Sequence, residues 1–389
     1  MARRKNGIMC MDGFLKQCVD NAKFIDRQKK KNPSIKSIFT IGSTSVNDNS
    51  KSVAYLTPVR SNRYFVVTGA VVFNQSQAIS LAARLDGMVD IIAVDAEKKV
   101  PISAVLDKKS LSKDVLDALT KHVKTVEIVD SGNLASICSG IIKRSTIFEF
   151  KPNDLTVDAV WAFVVNKLGC FSGKKIAIIG AGNIGSKLAI KFVESGAEVV
   201  INRRDKYVGN TVANAINLIK PSMTIANVSY TENITKACFM ADVVIGTSYG
   251  SPVIQWEHIA VSKQEALLLD VGKGSVSKNA ITKAFQKGKE VYRIDVSAAL
   301  EGHLLTLLRT DENIKTRLGR KVINGVGVVS GGLLGRKGDV VVDNVFEPKN
   351  IIGIANGEGD FLRKYSKEHK RKIKILKKDA RLQDDILYQ

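Results

Sequence analysis

The stretch that most limits what this chain can become is residues 174–205, KKIAIIGAGNIGSKLAIKFVESGAEVVINRRD. A short apolar run at 175–179 passes directly into Gly180-Ala181-Gly182-Asn183-Ile184-Gly185. Leu188, Ala189, Phe192 and Val193 then recur at helical spacing, and Gly196 leads into a second apolar run at 198–201. Period two, then period 3.6, then period two predicts strand, tight turn, helix, strand. In such a unit the first glycine permits the turn, the second lets phosphates approach the backbone, and the third lets the helix lie close to the strand. The helix start contributes unbonded N–H groups and the positive end of its dipole. Gly180, Gly182, Asn183, Ile184 and Gly185 are therefore candidates for gripping a dinucleotide pyrophosphate.

The second strand ends in Asn202-Arg203-Arg204, where a site for unphosphorylated NAD would place a carboxylate against the ribose 2′-hydroxyl. Two guanidiniums and no acid suit a 2′-phosphate, because the planar fork of arginine matches its oxygens. The expected cofactor is NADP rather than NAD, with Asn202, Arg203 and Arg204 in the clamp. The alternative is a solvated basic loop in a very basic protein.

Strand and helix patterns alternate on both sides of this unit. Strands are predicted at 37–41, 53–56, 64–72, 89–94, 125–129 and 146–150, with helices at 11–31, 75–85, 111–123 and 134–142 and an arginine-rich loop at 57–63. An apolar helix at 157–168, capped by Thr156 or Asp154, leads into the glycine turn. Further strands are expected at 224–228, 242–245, 266–271 and 290–295, which completes a six-strand doubly wound count. The fold class is α/β: two α/β domains, the second doubly wound, with a C-terminal segment returning to the first. The boundaries fall at 1–150, 151–300 and 301–389, and the last part reads as a closing segment with a strand at 339–343 and a basic, mostly helical tail.

The formal charge of +21 is concentrated at the ends. Residues 1–36 hold ten Lys and Arg against three acids, and residues 361–389 hold ten against four. This pattern suits solvated terminal helices; an anionic partner of the basic termini is the less favoured alternative. The helix at 11–31 carries Leu15, Cys18, Val19, Ala22 and Ile25 on one face and would pack on its own protein or in a homodimer. No apolar run reaches the ~18 residues of a membrane span, so no membrane partner is expected. Five scattered cysteines without a CxxC pair predict neither a disulfide framework nor a metal site, and point to the cytoplasm.

The plan resembles that of shikimate dehydrogenases, glutamyl-tRNA reductases and methylene-tetrahydromethanopterin or methylene-tetrahydrofolate dehydrogenases, and its cofactor part is similar to the ornithine cyclodeaminase/alanine dehydrogenase group. GKKIAIIGAGNIG followed by INRR resembles the NADP-binding turn and basic clamp of the first two. ADVVIGTS at 241–248 resembles the strand of that whole group whose end lies against the nicotinamide, so the resemblance implies that Thr247 and Ser248 meet the cofactor. Arg60, after Leu56-Thr57-Pro58-Val59, stands in a setting comparable to the shikimate dehydrogenase lysine. The glycine-rich run at 325–335 is similar to the return segment of methylene-tetrahydromethanopterin dehydrogenases.

Ligands of open α/β sheets lie beyond the carboxyl ends of the strands, at the point where strand order reverses. That places Lys273, Asp270 and Asp295 near the chemistry, with Arg60, Arg63, Asn153 and Asp154 facing them from the first domain. Lys273 is the first candidate for proton donor or acceptor, its pKa set by Asp270 or Asp295; His303 is the alternative. Arg60 would bind a substrate carboxylate. The expected activity is NADP-dependent hydride transfer to or from a small carbonyl, imine or hydroxy/amino-acid substrate between the two domains. The alternatives are a methylene-tetrahydropterin-type one-carbon dehydrogenase and a non-enzymatic dinucleotide-binding sensor with a basic tail.

Overall fold

The computed structural model describes residues 11–43, 54–97, 133–248 and 252–380. The helix expected at 111–123, the strand at 125–129 and loop residues 249–251 lie outside the described residues. Two compact units divide the chain at Glu301/Gly302. No helix among the described residues is long and apolar enough to cross a membrane.

The first unit opens with α1 (Met11–Lys31), β1 (Lys36–Ser43), β2 (Tyr55–Ser61), β3 (Phe65–Val72), α2 (Gln75–Leu85), β4 (Ile91–Asp95), α3 (Leu134–Ser139) and β5 (Thr146–Phe150). Its strands form a sheet in the order β2-β3-β1-β4-β5. The inner pairs are parallel, as alternation predicts, while β2 runs antiparallel to β3. Phe14, Cys18, Ala22 and Ile25 of α1 are fully buried in this domain's core, so the helix spends its apolar face on its own protein. The expected loop at 57–63 is mostly strand. Pro58 sits at an irregularity in the pairing between Thr57 and Arg60, on an edge strand where a missing N–H costs no ladder bond.

The chain crosses to the second sheet through α4 (Pro152–Leu168). This helix begins earlier than expected because Pro152 occupies its first turn, where proline's fixed φ is already helical. Neither Thr156 nor Asp154 caps it: the Thr156 hydroxyl donates to the Pro152 carbonyl at 2.9 Å, and Asp154 pairs with Lys187. There follow β6 (Lys175–Ile179), α5 (Asn183–Glu194), β7 (Glu198–Asn202), α6 (Lys206–Ile219), β8 (Val228–Thr231), α7 (Ile234–Cys238), β9 (Val243–Gly246), α8 (Trp256–Ala260), β10 (Leu267–Asp270), α9 (Lys278–Gln286) and β11 (Val291–Tyr292). The six strands are all parallel in the order β11-β10-β9-β6-β7-β8. This is the doubly wound Rossmann arrangement, with its switch point between β6 and β9. Apolar cores cover both faces. On one of them Phe192, fully buried, meets Phe171 edge-on at 5.4 Å between centroids; burying a ring of this size contributes about 1.5–3 kcal/mol.

The helix α10 (Ser297–Thr316) leads out of the first unit. Residues 302–380 then carry more sheet than the single strand expected at 339–343, while the basic tail is helical as expected. They hold a four-stranded sheet of their own, formed by β12 (Gly319–Ile323), β13 (Val326–Ser330), β14 (Val340–Val342) and β15 (Ile351–Ile354), and closed by α11 (Lys367–Ala380). Val326, Val328, Val340, Val342, Ile351 and Ile354 form its core with Ile373 and Leu376 of the helix. Gly325 and Gly331, both at positive φ, turn the chain at the two ends of β13, while Gly327 within that strand lies so close to Asp339 that a β-carbon would come within 2.2 Å of its carboxylate.

Candidate dinucleotide and substrate site

A cavity of about 1140 Å³ opens at the carboxyl ends of β6, β7, β9 and β10, and its far wall is made by Thr40, Ser43, Thr57 and Asn153 of the first α/β domain and α4. All of it lies within the first unit. The glycine turn forms its floor. Gly180 has φ of 111°, and a β-carbon there would meet the Ser248 amide nitrogen at 2.7 Å. At Gly182 a β-carbon would meet nothing within 4 Å, so the open space a phosphate needs lies over that residue. Gly185 packs with its α-carbon against the Gly180 carbonyl, which seats α5 on β6. As the first three residues of the helix, Asn183, Ile184 and Gly185 have N–H groups with no intrahelical acceptor. This cradle fits a dinucleotide pyrophosphate.

Thr247 and Ser248 line the cavity, but their hydroxyls are turned to the glycine turn. Thr247 donates to the Gly180 carbonyl at 2.6 Å, and Ser248 to the Ile179 carbonyl at 3.4 Å. They brace the turn across the switch point. Asn202 is buried and donates to the carbonyls of Thr231 and Glu232 at 2.9 Å each, which closes the end of β7. Arg203 reaches back, and its Nη1 donates to the Ala181 carbonyl at 2.6 Å. Its own carbonyl accepts from the Tyr230 hydroxyl at 2.9 Å, and the Tyr230 ring occupies the space left by the absent side chain of Gly209. Arg204 is exposed beside it on the cavity wall. The acid that follows the two arginines, Asp205, accepts the Val208 N–H at 3.0 Å as the cap of α6.

The catalytic candidates separate into two groups. Asp270 and Lys273 line the cavity, joined there by Arg293, which the sequence did not single out; Asp295 and Arg60 do not line it. Asp270 is buried and its oxygens are taken: the N–H groups of Gly274 and Ser275 donate to it at 2.9 Å, the Ser275 hydroxyl at 2.6 Å, and Arg293 Nε lies 3.5 Å away. Asp270 therefore clamps the 272–275 turn, and no ion pair joins it to Lys273. That turn holds Lys273 in the left-handed region, φ 53°, with its side chain exposed to the cavity. A side chain there is uncommon and costs free energy unless the surroundings impose it.

Asp295 corrects the expectation in another way. It is 76% exposed, engages the Ser297 hydroxyl and amide at the start of α10, and stands 3.8 Å from Arg60. The Ser297 hydrogen bonds, with the Arg60 charge behind them, hold its carboxyl below the usual carboxylate range. Arg60, on the edge strand, is thus an ion-pair partner of Asp295 and not a wall of the cavity. Asn153 does reach the site: its side chain donates to Asn183 at 3.4 Å, and its N–H to Glu97 at 3.1 Å. His303 lies beyond the first unit, and its Nε2 is buried with no partner. Cys138 is fully buried, and burial pushes its thiol up to about 12. Arg293, Tyr230 and the hydroxyls of Thr40, Ser43 and Thr57 were not legible as site residues. The one signal was Arg293, whose charge interrupts VYRID directly after the point where β11 ends at Tyr292.

Residues 175–248, from β6 through the loop after β9, match the family model described as NADP oxidoreductase, coenzyme F420-dependent. With the strand order and the glycine cradle, the match defines a Rossmann-type NAD(P)-dependent dehydrogenase fold in an enzyme of the oxidoreductase class. No curated protein matches the sequence. Among solved structures, a dipicolinate synthase chain from Bacillus halodurans is 13% identical over 70% of this chain and 97% of its own, with a TM-score of 0.32. Ornithine carbamoyltransferase from Campylobacter jejuni is 12% identical over 76% and 96%, with a TM-score of 0.38. Glutamyl-tRNA reductase from Methanopyrus kandleri is 16% identical over 41% of this chain and 39% of its own, with a TM-score of 0.30.

Proposed function

We propose that this chain is an NADP-dependent oxidoreductase that moves a hydride between the nicotinamide and a small carbonyl, imine or hydroxy/amino-acid substrate in the cleft between its two α/β domains. One observation carries the cofactor choice: the end of β7 offers Arg203 and Arg204, and the acid that follows them is committed to capping α6. Gly182 and the α5 N-terminus would hold the pyrophosphate, Arg203 and Arg204 the 2′-phosphate. When bound, the nicotinamide supplies the carbon that gives or accepts the hydride. The chain's own part is to place the substrate and handle one proton. Lys273, held over the cavity by the Asp270 clamp, is the group for that proton at its Nζ, and with Arg293 it leaves the Rossmann wall of the cleft net positive. A substrate with an anionic group suits that wall, and Thr57 on the opposite wall suits its oxygen or nitrogen functions. Single-ligand pockets span about 300–1,000 Å³, so this cavity accommodates a dinucleotide with a small substrate rather than with a second large cofactor, which favours this reading over the one-carbon alternative.

The test is titration with NADPH and NADH of the wild type and of Arg203→Ala/Arg204→Ala. A charge-assisted hydrogen bond to phosphate is worth about 1.5–3 kcal/mol, so the double variant should lose roughly ten- to a hundredfold or more in NADPH affinity beyond the smaller loss it shares with NADH when the Arg203 bond to the Ala181 carbonyl goes. Equal binding of the two dinucleotides by the wild type would overturn the NADP reading.

A further inference from the structure

We propose that the C-terminal unit docks the phosphate backbone of a nucleic acid along one face of α11. The helix carries seven Lys and Arg against two acids. Lys367, Lys370, Arg371, Lys374 and Lys378 are all exposed, and their spacing of three and four residues puts them in one stripe. Opposite that stripe, Ile373 and Leu376 are buried in the core of the unit. None of the five stripe cations has an ion-pair or hydrogen-bond partner among the described residues. Several cations on other helices are paired, Lys30 with Asp26, Lys187 with Asp154, Lys191 with Asp158 and Lys315 with Asp311, and the exposed Lys278 and Lys283 of α9 are separated by a full turn and more rather than gathered into a row of five. On α11 the ion pair of Lys372 with Glu368 lies off the stripe. Like charges one turn apart oppose the helix they sit on, so five of them on a rigid face call for an outside polyanion.

The choice among polyanions follows from the opposite face. An amphipathic helix that binds a membrane needs a free apolar stripe to insert, and here that stripe is already used in the core. What α11 offers is a row of cations about 16 Å long at 1.5 Å per residue. A duplex presents one charge per about 1.7 Å of its axis, so the row can engage several phosphates at once. Base-reading side chains are not part of the stripe, so binding should be independent of sequence.

The experiment is fluorescence anisotropy of labelled DNA and RNA duplexes with the full chain, between 50 and 200 mM salt. For DNA each neutralised phosphate contributes about −0.9 to the slope of log affinity against log salt. Five contacts give a slope of about −4.5, a loss of roughly five-hundredfold across that range. Lys370→Gln/Arg371→Gln/Lys374→Gln should cut the slope to about −1.8, and Lys370→Gln alone should reduce its steepness by about 0.9. The comparison variant is Lys278→Gln/Lys283→Gln/Lys287→Gln, which removes the same charge from exposed sites on and just after α9 and should leave the slope unchanged. An equal fall in slope for the comparison variant, no duplex binding at 50 mM salt, or binding to phosphatidylserine vesicles without binding to duplexes would each overturn the proposal. The outcome is independent of whether the Rossmann site prefers NADPH.

Discussion

Replacing Lys273 by glycine should make the protein more stable and its reaction slower. The residue sits at φ 53°, between Gly272 and Gly274, in a turn whose shape is imposed by the Asp270 carboxylate. A left-handed conformation costs an L-residue roughly 1–2 kcal/mol, and glycine escapes that cost while losing about 0.5–1 kcal/mol in extra backbone entropy. The net gain is about 0.5–1 kcal/mol, since the Lys273 side chain has no ion-pair or hydrogen-bond partner among the described residues to lose. For a domain of this size that raises Tm by about 1–4 °C. Lys273→Ala is the control, because it removes the ammonium and keeps the strain. Thermal unfolding without cofactor should therefore separate the two variants, with glycine above the wild type and alanine close to it, while turnover falls in both and NADPH affinity in neither. Equal Tm shifts for glycine and alanine would refute the claim that the clamp holds Lys273 against a backbone preference; unchanged turnover would remove it from the chemistry.

Three further outcomes follow from the geometry. Gly180→Ala should abolish dinucleotide binding in titration, because the added β-carbon meets the Ser248 amide at 2.7 Å in a backbone region alanine avoids. Asp242 is buried at the start of β9; desolvation raises its pKa, but the Lys175 N–H, Lys263 and Lys174 outweigh it and hold the carboxyl below its usual value. A depressed folded-state pKa gives stability that is complete above about pH 5 and lost as the pH falls past the unfolded value near 3.9. Asp242→Asn should therefore cost about 1–3 kcal/mol at neutral pH and flatten the acid limb of a denaturation series. In the second unit Arg320 grips Asp339 through two hydrogen bonds of 2.9 and 2.8 Å, and Arg320→Ala should raise amide exchange in β13 and β14 while leaving β6 and β7 protected.

The doubly wound half was legible because each of its signals repeats at a local period: the apolar runs, the glycine spacing and the helical stripe of α5 all lie within short windows. The glycine turn and Arg203 were legible for the same reason. What failed was long-range or marginal. The 57–63 segment reads as a loop because Pro58, Arg60 and Arg63 punctuate it, yet the edge strand takes in both Pro58 and Arg60 and ends at Ser61. The C-terminal sheet hid behind its glycines, and the cue was valine at 326, 328, 340 and 342, which alternates inward only once the strands pair. Asp270 stood at the right strand end, but only the fold shows that its oxygens are filled by the next turn. Asp295 was placed by a strand six residues long that in fact stops at Tyr292, after which the chain turns to start α10.

The bond from Arg203 to the Ala181 carbonyl ties the arginine proposed for the ribose phosphate to the glycine turn proposed for the pyrophosphate. The two are one rigid piece before any ligand arrives, so the ordering entropy of the clamp is met during folding rather than on binding. Release of the cofactor then has to come from movement of the walls around that piece, because loosening Arg203 would also loosen the turn. A redesign toward the unphosphorylated dinucleotide meets the same tie. A carboxylate at position 203 would face the carbonyl it replaced a donor to, and the change would succeed only with a new donor for Ala181 supplied from a neighbouring residue.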